Sequence, residues 1–125
     1  MVAAMRVQVA TPAGWRPAGL TQAATATSWL RRGIGLLGKR GLSPGEALWL
    51  EPCGSVHTFG MRFDLDVAFM DASGRVLAVV EAAPPWRVIA APRGTRAVLE
   101  AAAGALRGCG IDAGCTLRLA PPGAG

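Results

Sequence analysis

Apolar and polar residues alternate with a period of two over much of this chain. A helical period appears in one place. Val7 and Val9 alternate with Arg6 and Gln8, which predicts a short opening strand. Thr11-Pro12-Ala13-Gly14 and Arg16-Pro17-Ala18-Gly19 read as turns or loop. Leu30, Ile34 and Leu37 fall at i, i+4 and i+7, the stripe of a helix over roughly 27–37. Thr27 or Ser28 caps its start and Gly38 ends it. Ser43-Pro44-Gly45 is a turn, and Ala47 to Glu51 is a strand stopped by Pro52. Val56 to Phe63 alternates, with His57, Phe59, Met61 and Phe63 on one side and Thr58, Gly60 and Arg62 on the other. That pattern predicts one further strand. Val67 to Met70 and Arg75 to Glu81 form a hairpin across Asp71-Ala72-Ser73-Gly74. Trp86 to Ile89, Ala97 to Glu100 and Thr116 to Leu119 are short strands. Ala102 to Cys109 is a short helix, and Pro121 to Gly125 a disordered tail.

Many short strands punctuated by turn residues predict an α+β fold that is mainly β. The expected form is a compact β-barrel or jelly-roll-like sandwich with one or two helices packed outside. The length of 125 residues suits one core. A single domain over 1–120 is expected, with no repeat and no linker.

Composition changes this picture in two ways. Apolar residues make up 51% of the chain, enough to bury a core, yet no run reaches the length of a membrane span. The net charge of +5 is uneven. Residues 1–45 hold Arg6, Arg16, Arg31, Arg32, Lys39 and Arg40 and no acid. The rest holds seven basic and eight acidic residues. A solvated basic face is the plain reading of the first third, and a surface for nucleic acid or anionic lipid the functional one. Aromatics at 6% supply a base-stacking platform poorly. Cys53, Cys109 and Cys115 are an odd number in no paired framework, which with the lack of an apolar leader predicts a cytoplasmic protein.

Candidate chemistry concentrates between Cys53 and Asp66. This stretch holds the one histidine of the chain, His57, with Thr58, Met61, Arg62 and Asp66. Each polar group buried in a strand must find a partner, so folding alone rarely calls for so many. Cys53 and His57 form a C-x3-H pair, which is no zinc pattern with Cys109 and Cys115. As a nucleophile and base they would need a turn at Gly54-Ser55, because four extended residues span about 13 Å. Gly33-Ile-Gly35-Leu-Leu-Gly38 matches a dinucleotide fingerprint by letters only, since it ends a helical pattern instead of opening one. No metal or cofactor is expected. Arg62 suits a carboxylate, phosphate or sugar, and Trp86, in Pro84-Pro85-Trp86-Arg87, suits the apolar wall of a pocket.

With these residues in view, the chain resembles the DUF192 family, a bacterial and archaeal domain of unknown function. The matching pieces include Gly35-Leu-Leu-Gly38-Lys39-Arg40, Leu50-Glu51-Pro52-Cys53, His57-Thr58-Phe59-Gly60-Met61-Arg62-Phe63, Leu65-Asp66-Val67, Pro85-Trp86-Arg87 and Ala97-Val98-Leu99-Glu100. The resemblance implies a single β-rich domain of jelly-roll or barrel type and no established activity. Where the family often has proline, this chain has Asp64, which adds charge beside the candidate site. Where it often has Gly-Asp near the last strand, this chain has Gly114-Cys115. The expected function is non-catalytic binding of a small polar or anionic ligand in a cleft around His57, Thr58, Met61, Arg62, Asp66 and Trp86. The alternatives are a hydrolase or lyase with His57 as base oriented by Asp66, and a binder of nucleic acid or anionic surfaces. A monomer or weak dimer is expected.

Overall fold

Strand β6, Leu65–Met70, is buried at all six positions and sits inside the largest sheet. A nearly continuous apolar run is what a strand covered on both faces requires. A computed structural model describes residues 5–26 and 41–122. Its other strands are β1 (Arg6–Thr11), β2 (Gly14–Pro17), β3 (Gln22–Ala26), β4 (Glu46–Leu50), β5 (Val56–His57), β7 (Val76–Ala83), β8 (Val88–Ile89), β9 (Ala97–Ala102) and β10 (Leu117–Ala120). One short helix, α1 (Ala105–Gly108), follows β9 among the described residues.

The central sheet has the order β3-β4-β9-β6-β7, with β3 parallel to β4 and the other pairs antiparallel. A second sheet runs β10-β1-β2, and β5 and β8 form a two-stranded ribbon. Strand alternation divides the core into two layers. Ala47 and Trp49 of β4, Ala68 and Met70 of β6, and Leu99 of β9 face one side. There they meet Val7 and Val9 of β1, Leu117 of β10 and Leu106 of α1. Leu48, Leu50, Leu65, Val67, Phe69 and Val98 face the other side and pack on Val56 and Met61. Each fully buried Leu or Phe contributes about 1.5–3 kcal/mol.

The mainly β expectation matches this architecture. Of the two forms expected, the packed sandwich is the one found, because the sheets stay open among the described residues. The β6–β7 hairpin and strands β1, β4, β9 and β10 fall where alternation put them, to within a few residues. Three readings are corrected. Gly14–Pro17 is strand, not loop; it is an edge strand, exposed throughout, where proline costs no ladder bond. Gln22–Ala26, to which the sequence pattern assigns no element, is strand as well. Val56 to Phe63 is not one strand: pairing stops after His57, and Met61 N–H closes a turn on Thr58 O at 3.2 Å with Gly60 at φ 79°. The helix read in Ala102 to Cys109 covers only Ala105–Gly108. The helix over 27–37 and residues 123–125 of the tail lie outside the described residues. No helix among those described is long and apolar enough to cross a membrane.

Candidate functional site

The turn after β5 carries most of the candidate residues. Val56 pairs with Ile89 and His57 with Val88, so ladder bonds fix the two residues before Thr58. Thr58 is 0% exposed and acts as a clamp. Its N–H donates to Arg87 O at 2.8 Å, and its carbonyl accepts from Trp86 N–H at 2.9 Å. Its hydroxyl donates to Pro84 O at 2.7 Å and accepts from Arg87 N–H at 2.8 Å. One buried threonine thereby holds the whole 84–87 connection. A buried polar side chain satisfied this fully stabilises the local geometry, since each of its bonds would otherwise be an unmade one.

The clamp sets three rings in a row. The His57 and Phe59 centroids lie 5.3 Å apart with planes 29° from parallel, and those of Phe59 and Trp86 lie 6.1 Å apart at 34°. These separations are those of favourable aromatic contacts. Two of the rings face outward, Phe59 at 46% and Trp86 at 64% exposed, with Val88 of β8 at 70%, while His57 is half-buried. Trp86 also holds φ at +64°, a conformation rare for a bulky residue. Arg62 and Arg87 are exposed beside the same two turns in sequence. Met61 lies beneath, buried with Val56, Leu65 and Val67.

The structure therefore brings His57, Thr58 and Trp86 together, with Met61 as support. It adds Phe59, which strand alternation places on the same side as His57, Met61 and Phe63. The signal for its exposure is Phe59-Gly60, because a glycine at positive φ ends the strand there.

Asp66 does not belong to this group. Strand alternation puts it with Ala68 and Met70, on the sheet face opposite Leu65, Val67 and Met61. It is 0% exposed. Its Oδ1 accepts from Ala82 N–H at 2.9 Å and its Oδ2 from Leu106 N–H at 3.1 Å. A carboxylate on the far side of the sheet cannot orient the His57 imidazole. The Cys53 thiol donates to Ser55 O at 3.2 Å. No three of His, Cys, Asp and Glu converge among the described residues.

Three cavities lie elsewhere. One of about 210 Å³ is lined by Trp49, Glu51, Asp71 and Arg118 among others. One of about 500 Å³ is lined by Gly19, Pro44, Ala105 and Cys109 among others. One of about 430 Å³ lies between Arg75 and Gly114. Two groups near them are perturbed. The Ser73 hydroxyl, then the Arg75 and Ser73 amides and the Arg75 charge, hold Asp71 below its usual range, while desolvation pulls the other way. Burial pushes the Cys109 thiol up, partly offset by Arg16. The rings of Phe59 and Trp86 themselves are exposed.

Residues 9–119 match the DUF192 family, described as an uncharacterized ACR. The chain belongs to the DUF192 family. Two solved structures share the DUF192 chain's fold. One is a "putative transcription regulator" from Sinorhizobium meliloti 1021, 22% identical, with a TM-score of 0.77 over 95% of this chain and 97% of that one. The other is a protein of unknown function from Novosphingobium aromaticivorans DSM 12444, 22% identical, with a TM-score of 0.75 over 90% of this chain and 83% of that one. No curated protein matches the DUF192 chain.

Proposed function

We propose that this DUF192 chain is a non-catalytic binding module. A small ligand lies on the His57–Phe59–Trp86 face and turns a polar or anionic group to Arg62 and Arg87. The observation that carries this reading is Trp86, 64% exposed at φ +64° and held there by Thr58. A backbone in that region costs about 1–3 kcal/mol, and an exposed indole recovers little of it by burial. Such strain gathers at ligand clamps and binding turns. A row of aromatic rings with Arg62 and Arg87 exposed next to it in sequence fits a ring-bearing ligand with a carboxylate or phosphate. The hydrolase or lyase alternative loses its orienting carboxylate, because both Asp66 oxygens are engaged on the other sheet face.

The test is thermal shift with monosaccharides, sugar phosphates and small dicarboxylates. Ligand at 100 times its Kd stabilises the folded state by about 2.7 kcal/mol. One class is expected to raise the melting temperature of the wild type, and Trp86→Ala and Arg62→Ala to remove that rise while still folding. A rise of the same size in both variants overturns the assignment to this face.

The name carried by the Sinorhizobium meliloti protein supports a second reading, binding of nucleic acid through the acid-free residues 1–45. It predicts retention on DNA or RNA that falls steeply with salt.

A further inference from the structure

We propose that Asp66 is a positioning residue for the aromatic face and acts through a bulge in β7 from the opposite side of the central sheet. Its purpose rests on the binding reading above; its geometry and its test do not. Asp66 is the one polar residue of β6 and is 0% exposed. A carboxylate there needs strong partners, because desolvating it costs several kcal/mol. Both partners are backbone amides, Ala82 N–H at 2.9 Å and Leu106 N–H at 3.1 Å.

The Ala82 amide is the informative one. Leu65 pairs with Ala83 and Val67 with Val80, so two steps along β6 face three along β7. The extra residue is a β-bulge, whose unpaired groups leave the ladder and whose strand bends. Ala82 sits in this bulge at φ +50°, which backbone preference alone opposes. Asp66 accepts the amide that the bulge would otherwise leave unpaired. Two residues further on, Pro84 O accepts the Thr58 hydroxyl, and Trp86 and Arg87 follow on the same clamp. The segment 82–87 is therefore fastened by Asp66 at its start and by Thr58 at its end, with Trp86 between. Gln8, Thr58, Asp66 and Glu100 are the buried polar residues among those described, and two of the four hold this one connection. A regular β7 would carry the chain straight on; the bulge turns it so that Trp86 comes over Phe59.

Asparagine at 66 keeps one accepting oxygen and presents an NH₂ to the other amide. Hydrogen exchange of the full chain tests the idea with no ligand present. Asp66→Asn is expected to speed exchange at Trp86 and Arg87 by about tenfold, a local opening, while β4 and β9 stay protected. The emission difference between Asp66→Asn and Asp66→Asn/Trp86→Phe is expected to depart from that between wild type and Trp86→Phe. Thr58→Val is expected to give the same opening from the other end. If Asp66→Asn folds poorly, Asp66→Thr, whose hydroxyl accepts one of the two bonds, carries the same readout. A lower melting temperature with wild-type exchange at 86–87 and unchanged Trp86 emission overturns the proposal and leaves Asp66 a core pin. That failure is separate from failure of the ligand panel, which would leave Asp66 positioning Trp86 for some other use.

Discussion

The two faces of the central sheet are covered in different ways. On the face of Ala68 and Met70, a regular three-stranded sheet closes the layer with aliphatic side chains. On the face of Val67 and Phe69, the cover is a two-stranded ribbon with turns on both sides. The first cover is held mainly by pattern and area, with Asp66 as the one buried carboxylate that bonds its Leu106 amide. The second is held by single side chains that bond to backbone, Thr58 above all. Regular packing leaves little room for irregular backbone. The thin cover tolerates Trp86 at positive φ and the outward rings of Phe59 and Trp86.

The largest effect that would test this contrast is Phe69→Ala. Phe69 is fully buried on the ribbon side, and truncation is expected to cost about 3–5 kcal/mol in a denaturant melt. Thr58→Val, nearly isosteric, removes one donor and one acceptor and leaves Pro84 O and Arg87 N–H without the hydroxyl. A loss of about 1–3 kcal/mol is expected, smaller than Phe69→Ala but with complete loss of ligand response. Equal ligand response in Thr58→Val would break the claim that this residue builds the site. Trp86→Gly is expected to be neutral or to stabilise by up to about 1 kcal/mol, since glycine holds φ +64° without strain. The same change is expected to abolish binding. Marked destabilisation by Trp86→Gly would instead make the indole a packing residue.

The smallest effect concerns Asp71, away from both faces. Its folded-state pKa is depressed by the Ser73 hydroxyl and neighbouring amides. A depressed carboxyl contributes stability that is present above its unfolded pKa and is lost as pH falls through the folded value. Asp71→Asn is therefore expected to flatten the acid limb of the stability curve slightly below pH 4 and to change nothing at neutral pH. Melts between pH 2 and 7 check it.

Most of the first face was legible because strand alternation is a sum over many residues. Val7 and Val9, Ala68 and Met70, and Ala97 and Leu99 all obey it. Strand β2 escaped because its Gly14, Arg16 and Pro17 carry turn chemistry and no buried face. The second face was half legible. His57, Thr58 and Trp86 stood out by residue type, but their roles depend on where pairing stops. The alternation of His57, Phe59, Met61 and Phe63 mimics a strand, while Gly60 ends it. Asp66 drew attention for being charged near His57 in sequence, yet one step along a strand reverses the face. Which of Asp66 and Leu65 looks toward Met61 is decided by register with β9 and β7, and such long-range pairing is not written locally.

The most direct measurement uses the fact that His57 is the one histidine of the chain. Its imidazole carbon-bound protons give a single, assignable set of NMR resonances. Titration with the compound that raises the melting temperature most is expected to move those resonances in saturable fashion. In Trp86→Ala the same titration is expected to leave them fixed. A compound that stabilises the protein to saturation while the His57 resonances stay still would place its ligand elsewhere and contradict the account.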